Sequence, residues 1–120
     1  VPCQYILANL IARNQRAVGA MFLDDSGETV ELACADFTPY QMRVVGAYLG
    51  IYLRQLGRFL GASELGDPRC VHIEKQGLHI HALPLPEGFY LVLVQRRPAL
   101  VARARSTLVD AGEQLRREFF

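Results

Sequence analysis

The sequence predicts an α+β domain of element order αββαβββα, in which a five-stranded antiparallel sheet carries one helix on one face and two on the other. Three observations predict it. Apolar residues recur at helical spacing near the start, in the middle and at the end of the chain. The stretches between them are apolar or alternating over strand lengths. Turn sequences at Asp24-Asp25-Ser26-Gly27 and Gln76-Gly77 divide those stretches into hairpins.

The 120 residues are enough for one continuous core and too few for two, so residues 1–120 read as a single domain. From Gln4 to Ile11, Tyr5, Ile6, Leu7, Leu10 and Ile11 form one face of a short helix expected to end near Asn14. Ala17 to Leu23 and Glu28 to Ala35 then read as two strands, joined where Gly27 can take the left-handed conformation of a bulged hairpin. Thr38-Pro39-Tyr40-Gln41 is a helix start with a visible mechanism. Thr38 can cap a free N–H, Pro39 fits the first helical position, and Gln41 completes a capping box.

That helix is expected to run to about Leu60, burying Met42, Val45, Leu49, Tyr52, Leu53, Leu56 and Leu60, with Gly61 as its stop. Glycines at 46, 50, 57 and 61 also recur along it, each interior one costing ~1 kcal/mol against alanine. A close backbone neighbour should offset that cost, either the chain's own sheet or a second helix across a twofold axis. Arg69 to Lys75, Leu78 to Leu83 and Phe89 to Val94 read as three more strands, the last apolar on both faces and therefore central. Pro98 is expected to open the final helix, with Val101, Ala104, Leu108, Ala111, Leu115 and Phe119 as its stripe.

Half the residues are apolar and the formal net charge is only +1, which argues against disorder and against a nucleic-acid partner. Cys3, Cys34 and Cys70 are odd in number and widely spaced, fitting buried thiols in a reducing compartment. No basic segment precedes an apolar run, and Val44 to Leu53 is the longest uncharged helical stretch, so a cytoplasmic protein without membrane insertion is expected. The G-x-x-x-G of "GAYLG" is consistent with that, since Arg43, Arg54 and Arg58 on the same helix exclude a span.

The stretch "HIEKQGLHIH" concentrates all three histidines. With Gln76-Gly77 as a two-residue turn, His72 faces His81, Glu74 faces His79 and Cys70 faces Leu83, all on one side of the sheet, while Val71, Ile73 and Ile80 take the other. Imidazoles and a carboxylate are suitable zinc or nickel ligands, which makes His72, Glu74, His79 and His81 candidate metal residues. Four side chains standing parallel on a sheet converge poorly, however, so the stretch reads mainly as a hairpin whose less buried face holds the histidines, and no metal or cofactor is expected.

No phosphate-cradling glycine loop occurs, and Ser26, Ser63 and Ser106 lack a nucleophile elbow. Asp24-Asp25 reads as a turn, Asp110 and Glu113 as a charged helix face, and Arg96-Arg97 as a basic pair at a strand end. No catalytic residue is assigned, and a protein without enzymatic activity is expected. The uninterrupted edge "RCVHIEK" offers a template for pairing with a second copy, so a homodimer is expected.

Three stretches resemble the roadblock family, which includes the dynein light chains of that name and bacterial MglB-type regulators. "AVGAMFLDDSGETVELA" resembles its first hairpin, "GLHIHALPLPEGFYLVLV" its fourth and fifth strands, and "RRPALVARARSTLVDAGEQL" its last helix. The resemblance spans nearly the whole chain and implies a roadblock/profilin-like sandwich. It implies a homodimer in which the third strand pairs with its mate and the second helices lie side by side, placing Cys70, His72 and Glu74 at the dimer edge and Gly46, Gly50 and Gly57 on the paired helices. It also implies a small Ras-like GTPase as partner, with a structural adaptor in a motor or signalling assembly as the alternative. A metal or small-ligand sensor built on the histidine face is a third reading. On the second helix, Arg43, Ala47, Arg54, Gln55 and Arg58 are expected to turn outward or toward the mate, with Tyr40 and Tyr48 nearby, forming a partner-binding ridge.

Overall fold

A computed structural model describes residues 2–62 and 69–120. Its elements follow the expected order: α1 (Pro2–Ala12), β1 (Ala17–Leu23), β2 (Thr29–Cys34), α2 (Pro39–Ala62), β3 (Val71–Lys75), β4 (Leu78–Pro84), β5 (Tyr90–Arg96) and α3 (Val101–Phe119), with a 3-10 turn at Pro86–Gly88. All five strands join one antiparallel sheet in the order β2-β1-β5-β4-β3. β5 is therefore flanked on both sides, and Leu91 to Val94 are fully buried, as the doubly apolar "FYLVLV" requires.

Side-chain alternation splits the interior in two. Ala20, Phe22, Leu91 and Leu93 point to the face covered by α1 and α3, where they meet Leu7, Leu10, Leu108 and Leu115. Val18, Met21, Leu23, Val92 and Val94 point to the other face, where α2 contributes Met42, Leu49 and Leu53. Polar groups tie α1 to α3: Arg103 Nε donates to the Arg13 carbonyl at 2.8 Å and Arg13 pairs with Asp110 at 3.3 Å.

The local signals work as their chemistry dictates. Asp24 Oδ1 accepts from the Ser26 and Glu28 amides, and Gly27 takes φ +86° where β1 and β2 slip register beside Leu23. At the start of α2, Gln41 N–H donates to Thr38 Oγ1 at 3.1 Å and Thr38 N–H donates to Gln41 Oε1 at 2.9 Å, a complete capping box. Gln76 and Gly77 both have positive φ, which fixes the two-residue turn and the pairings His72 with His81 and Glu74 with His79.

Several boundaries and environments differ from expectation. α2 continues through Gly61 to Ala62, because a glycine weakens a helix without stopping it. β3 starts at Val71, and α3 starts at Val101 rather than at Pro98, behind an extended Leu100 that offers no side-chain cap. Of the cysteines, Cys3 alone is buried, its thiol pushed up to about 11 by desolvation and then by the charge of Glu31. Cys34 is exposed on edge strand β2 and Cys70 is half-buried; all three are free thiols. Val101 and Phe119, at the two ends of the α3 stripe, are 36% and 47% exposed. Ser63 lies outside the described residues.

Candidate functional site

The outer surface of α2 carries the candidate site. Its inner face is set by Met42, Gly46, Leu49, Gly50 and Leu53, all buried, and it lies over β1 and β2 rather than over the whole sheet. A Cβ on Gly46 would stand 3.1 Å from the side chains of Leu23 and Met21, and one on Gly50 would stand 2.8 Å from the Gly27 Cα. The close approach that offsets these two glycines is thus made within the chain, to β1 and the hairpin turn. At Gly57 an added Cβ would meet nothing within 4 Å. Gly57→Ala is accordingly expected to raise stability by about 0.5–1 kcal/mol, read as a higher urea midpoint. A lowered midpoint, or loss of self-association, would show that this position is filled by something outside the chain.

Two distinct stripes share the exposed side of α2. Tyr40, Arg43, Ala47, Arg54 and Arg58 follow one line of helical spacing and are all exposed on one flank. Gln55, expected with them, belongs to a second line with Val44, Tyr48, Ile51, Tyr52 and Phe59. This line is apolar and bare: Tyr52, expected in the core, is 61% exposed, and Phe59 is 66% exposed. Sequence reasoning missed it because it followed a single inward stripe, in which it placed Tyr52, set Tyr48 beside the basic ridge, and left Val44, Ile51 and Phe59 unassigned. The spacing of residues 44, 48, 51, 55 and 59 was the signal that a second stripe exists.

The β3–β4 hairpin stands at one edge of the sheet. On the α2 side its Val71, Ile73, Leu78 and Ile80 are only half-buried, because α2 covers the β1–β2 half. The histidines lie on the opposite, better covered face, the reverse of the expectation that they occupy the less buried one. His79 and His81 are buried, and His72 and Glu74 are exposed at the β3 edge with half-buried Cys70 just before the strand.

The three imidazoles are stacked nearly parallel, with His72 4.8 Å from His81 and 5.1 Å from His79 between ring centroids. His72 Nε2 and His79 Nδ1 are hydrogen-bonded to each other at 2.8 Å, and His79 Nε2 faces Glu74 Oε1 at 3.5 Å. Gln95 Nε2 donates to the Gln15 carbonyl, so Gln95 Oε1 must accept from His81 Nε2–H, at 2.9 Å. Ring nitrogens committed to one another in a parallel stack do not converge on an ion. Among the described residues no group of three or more histidine, cysteine, aspartate or glutamate side chains is placed to hold a metal.

Burial lowers the His81 pKa to about 4, with the charges of His72 and His79 acting in the same direction against the Gln95 hydrogen bond. The basic pair at the end of β5 splits in role. Arg96 Nε donates to Asp36 Oδ2 at 2.8 Å and its guanidinium lies over Phe37, while Arg97 is exposed at the approach to α3. Among the described residues no helix is long and apolar enough to cross a membrane.

No protein-family model and no curated protein matches the sequence. Solved structures do match the fold. A Roadblock/LC7 domain from Streptomyces avermitilis superposes with a TM-score of 0.82 at 20% identity, over 95% of this chain and 94% of that one. MglB of Myxococcus xanthus superposes with a TM-score of 0.86 at 11% identity, over 98% and 94% of the two chains. MglC of Myxococcus xanthus gives 0.74 at 15% identity, over 99% and 100%. At these identities the agreement is one of architecture, and it includes the three helices, the five-stranded antiparallel sheet and the order of both: this chain has the roadblock fold.

Proposed function

We propose that the chain is a non-enzymatic homodimeric platform of the roadblock type that binds a small Ras-like GTPase and modulates its nucleotide cycle. The observation that carries this reading is the bare apolar stripe of α2 beside a half-covered sheet. Val44, Tyr48, Ile51, Tyr52 and Phe59 are exposed along α2, and Val71, Ile73, Leu78 and Ile80 are half-buried on the sheet face that α2 packs against. A second copy, antiparallel along β3, brings its own α2 onto that uncovered half and extends the sheet through the free edge. Such an isologous contact buries apolar surface on both copies, and stable dimers need about 1,600 Å² in all. The copies would leave their basic flanks outward, so that Tyr40, Arg43, Ala47, Arg54 and Arg58 and their mates form the partner ridge. Arg and Tyr are the anchors most enriched in transient protein contacts.

Two measurements test the two halves of the proposal. Tyr48→Glu with Phe59→Glu is expected to convert a dimer into a monomer by light scattering at about 50 μM, a concentration at which a micromolar contact is occupied. Wild-type protein that is already monomeric there rules out the dimer. Arg54→Glu with Arg58→Glu is expected to keep the dimer and weaken capture of a small GTPase encoded in the source genome by at least about tenfold, the loss of one anchor. Unchanged capture moves the partner surface elsewhere. Capture without any change in GTP hydrolysis or nucleotide exchange would assign the adaptor role instead.

A further inference from the structure

The sheet ends in two edge strands, β2 and β3, and their outward backbone groups are treated differently. On the β2 side Ala35 N–H donates to Val18 O at 3.1 Å, continuing a ladder in which odd-numbered residues bond to β1 and even-numbered ones turn outward. Leu32, in the middle of the strand, is one of the outward residues, and both of its groups are engaged. Its N–H donates to Glu31 Oε1 at 3.3 Å. The Gln4 amide of α1, oriented with its nitrogen toward the acceptors, donates to Leu32 O at 3.1 Å and to Glu31 Oε1 at 2.9 Å. A side-chain latch thus closes the middle of this edge to another strand.

The other edge differs. Arg97 N–H donates to Gly77 O at 2.8 Å, in register with the pairs His79–Gln95 and His81–Leu93, so the odd-numbered residues of β4 bond to β5. Leu78, Ile80 and Ala82 then bond to Lys75, Ile73 and Val71, as the two-residue turn with positive φ at Gln76 and Gly77 also requires. The backbone groups of His72 and Glu74 are left facing out of the sheet, on residues that are both exposed. Among the described residues no loop bonds to them. An incoming strand must bond to these two residues.

That requirement restricts how a second copy can sit antiparallel on the edge. Pairing centred on His72 sets it opposite the partner's His72 and overlaps only part of the strand. Pairing centred on Glu74 sets two carboxylates opposite each other, which is repulsive. Pairing centred on Ile73 engages the whole of Val71–Lys75 and sets His72 opposite the partner's Glu74, and Glu74 opposite the partner's His72. On the half-buried face it lays Ile73 against the partner's Ile73. Of the three, this register alone is self-complementary in length, charge and apolar contact.

We infer that β3 joins its mate in the register centred on Ile73, and that His72 opposite the partner's Glu74, twice by symmetry, fixes it. The inference rests on the dimer reading above and specifies what that reading leaves open, namely which residues of the two copies face each other. With the middle of β2 latched by Gln4 and Glu31, the sheet extends at β3, and twofold pairing there uses up the open edge.

The test is disulfide trapping in the full chain carrying Cys34→Ser and Cys70→Ser, which leaves only the buried Cys3. Residues opposite each other in a non-hydrogen-bonded pair have Cα atoms about 4.5 Å apart, within disulfide reach, and a slip to either neighbouring register carries them to about 8 Å, beyond it. Ile73→Cys is expected to link to itself under mild oxidation, with most of the chain running as a covalent dimer. Val71→Cys and Lys75→Cys are each expected to stay unlinked alone and to link when mixed. Charge exchange is the second arm. His72→Glu sets carboxylates opposite each other and is expected to raise the dimer dissociation constant by at least about fivefold. Adding Glu74→His restores the opposite pair and is expected to recover most of that affinity. Should either charge variant fail to fold, trapping alone decides. Ile73→Cys that stays unlinked while its parent is a dimer by light scattering, or Val71→Cys or Lys75→Cys that links to itself as readily, overturns the register and leaves the dimer standing. A dissociation constant indifferent to His72→Glu, or one that Glu74→His does not recover, overturns the role of the pair. A parent that is monomeric at about 50 μM overturns register and dimer together.

Discussion

Gly50→Leu is expected to cost more than about 3 kcal/mol of folding stability, the upper range of overpacking penalties, and to leave little folded protein at room temperature. The reason is which atom the new side chain meets. At Gly50 the first obstacle is the Gly27 Cα at 2.8 Å, with the Gly27 amide nitrogen at 3.5 Å. This is backbone against backbone, so no rotamer change can relieve it. Gly27 has little freedom to retreat, because its φ of +86° is set by a turn in which Asp24 Oδ1 also holds the Ser26 and Glu28 amides. Either α2 lifts from β1 and uncovers Met42 and Leu49, or the turn opens. Gly50→Ala meets the same obstacle with a smaller side chain and is expected to lose about 1–2 kcal/mol despite its better helix propensity. Urea unfolding read by circular dichroism gives both values. A normally stable Gly50→Leu that no longer associates would place this glycine against a second copy, contrary to its packing in the single chain.

That position illustrates what could be read from residues alone. Recurrent glycines in α2 announced a close backbone neighbour, yet period and spacing do not say which body approaches, since the same small-residue stripe serves sheet and mate equally. The capping box and the Gln76-Gly77 register were legible because each is decided within four residues. The bare stripe of Tyr48, Tyr52 and Phe59 was not recognised because α2 has apolar residues around most of its circumference, and the half of the sheet it covers is a tertiary fact. The buried polar side chains of Asn14, Gln95 and Thr107 were hidden for a related reason. Asn14 follows α1, Gln95 lies in β5 and Thr107 in α3, and each alone reads as a polar residue after a helix, at a strand end or within a charged helix. Gln95 at the close of an otherwise apolar central strand was the one local hint.

The histidine face leads to the second large effect. Folding stability is expected to fall by roughly 2–3 kcal/mol as pH drops from about 6.5 to about 4, a contribution from His81 that is complete above the first value and exhausted below the second. The sign follows from the folded protein disfavouring the proton. An unfolded chain takes up a proton on His81 near its ordinary value of 6.5, whereas the folded chain holds out to about 4, so acid favours unfolding across that window. Desolvation is the first cause. His81 is 1% exposed beneath the α1/α3 layer, and a charged imidazole there would lose its water with only the Gln95 oxygen in return. The His72 and His79 rings lie parallel to the same ring, with centroids 4.8 and 6.2 Å from it, and the carboxylate of Glu74 faces His79. From α3, Arg105 acts on neighbouring Cys70 and adds further positive charge to this face. Acid should therefore loosen β3–β4, the edge expected to meet a second copy, before the β1–β5 centre. His81→Gln, which keeps a donor for Gln95 Oε1 without titrating, is expected to flatten most of the dependence in urea unfolding measured across this pH window. If the variant and the wild type lose stability in parallel, the buried imidazole is not the group that senses the acid.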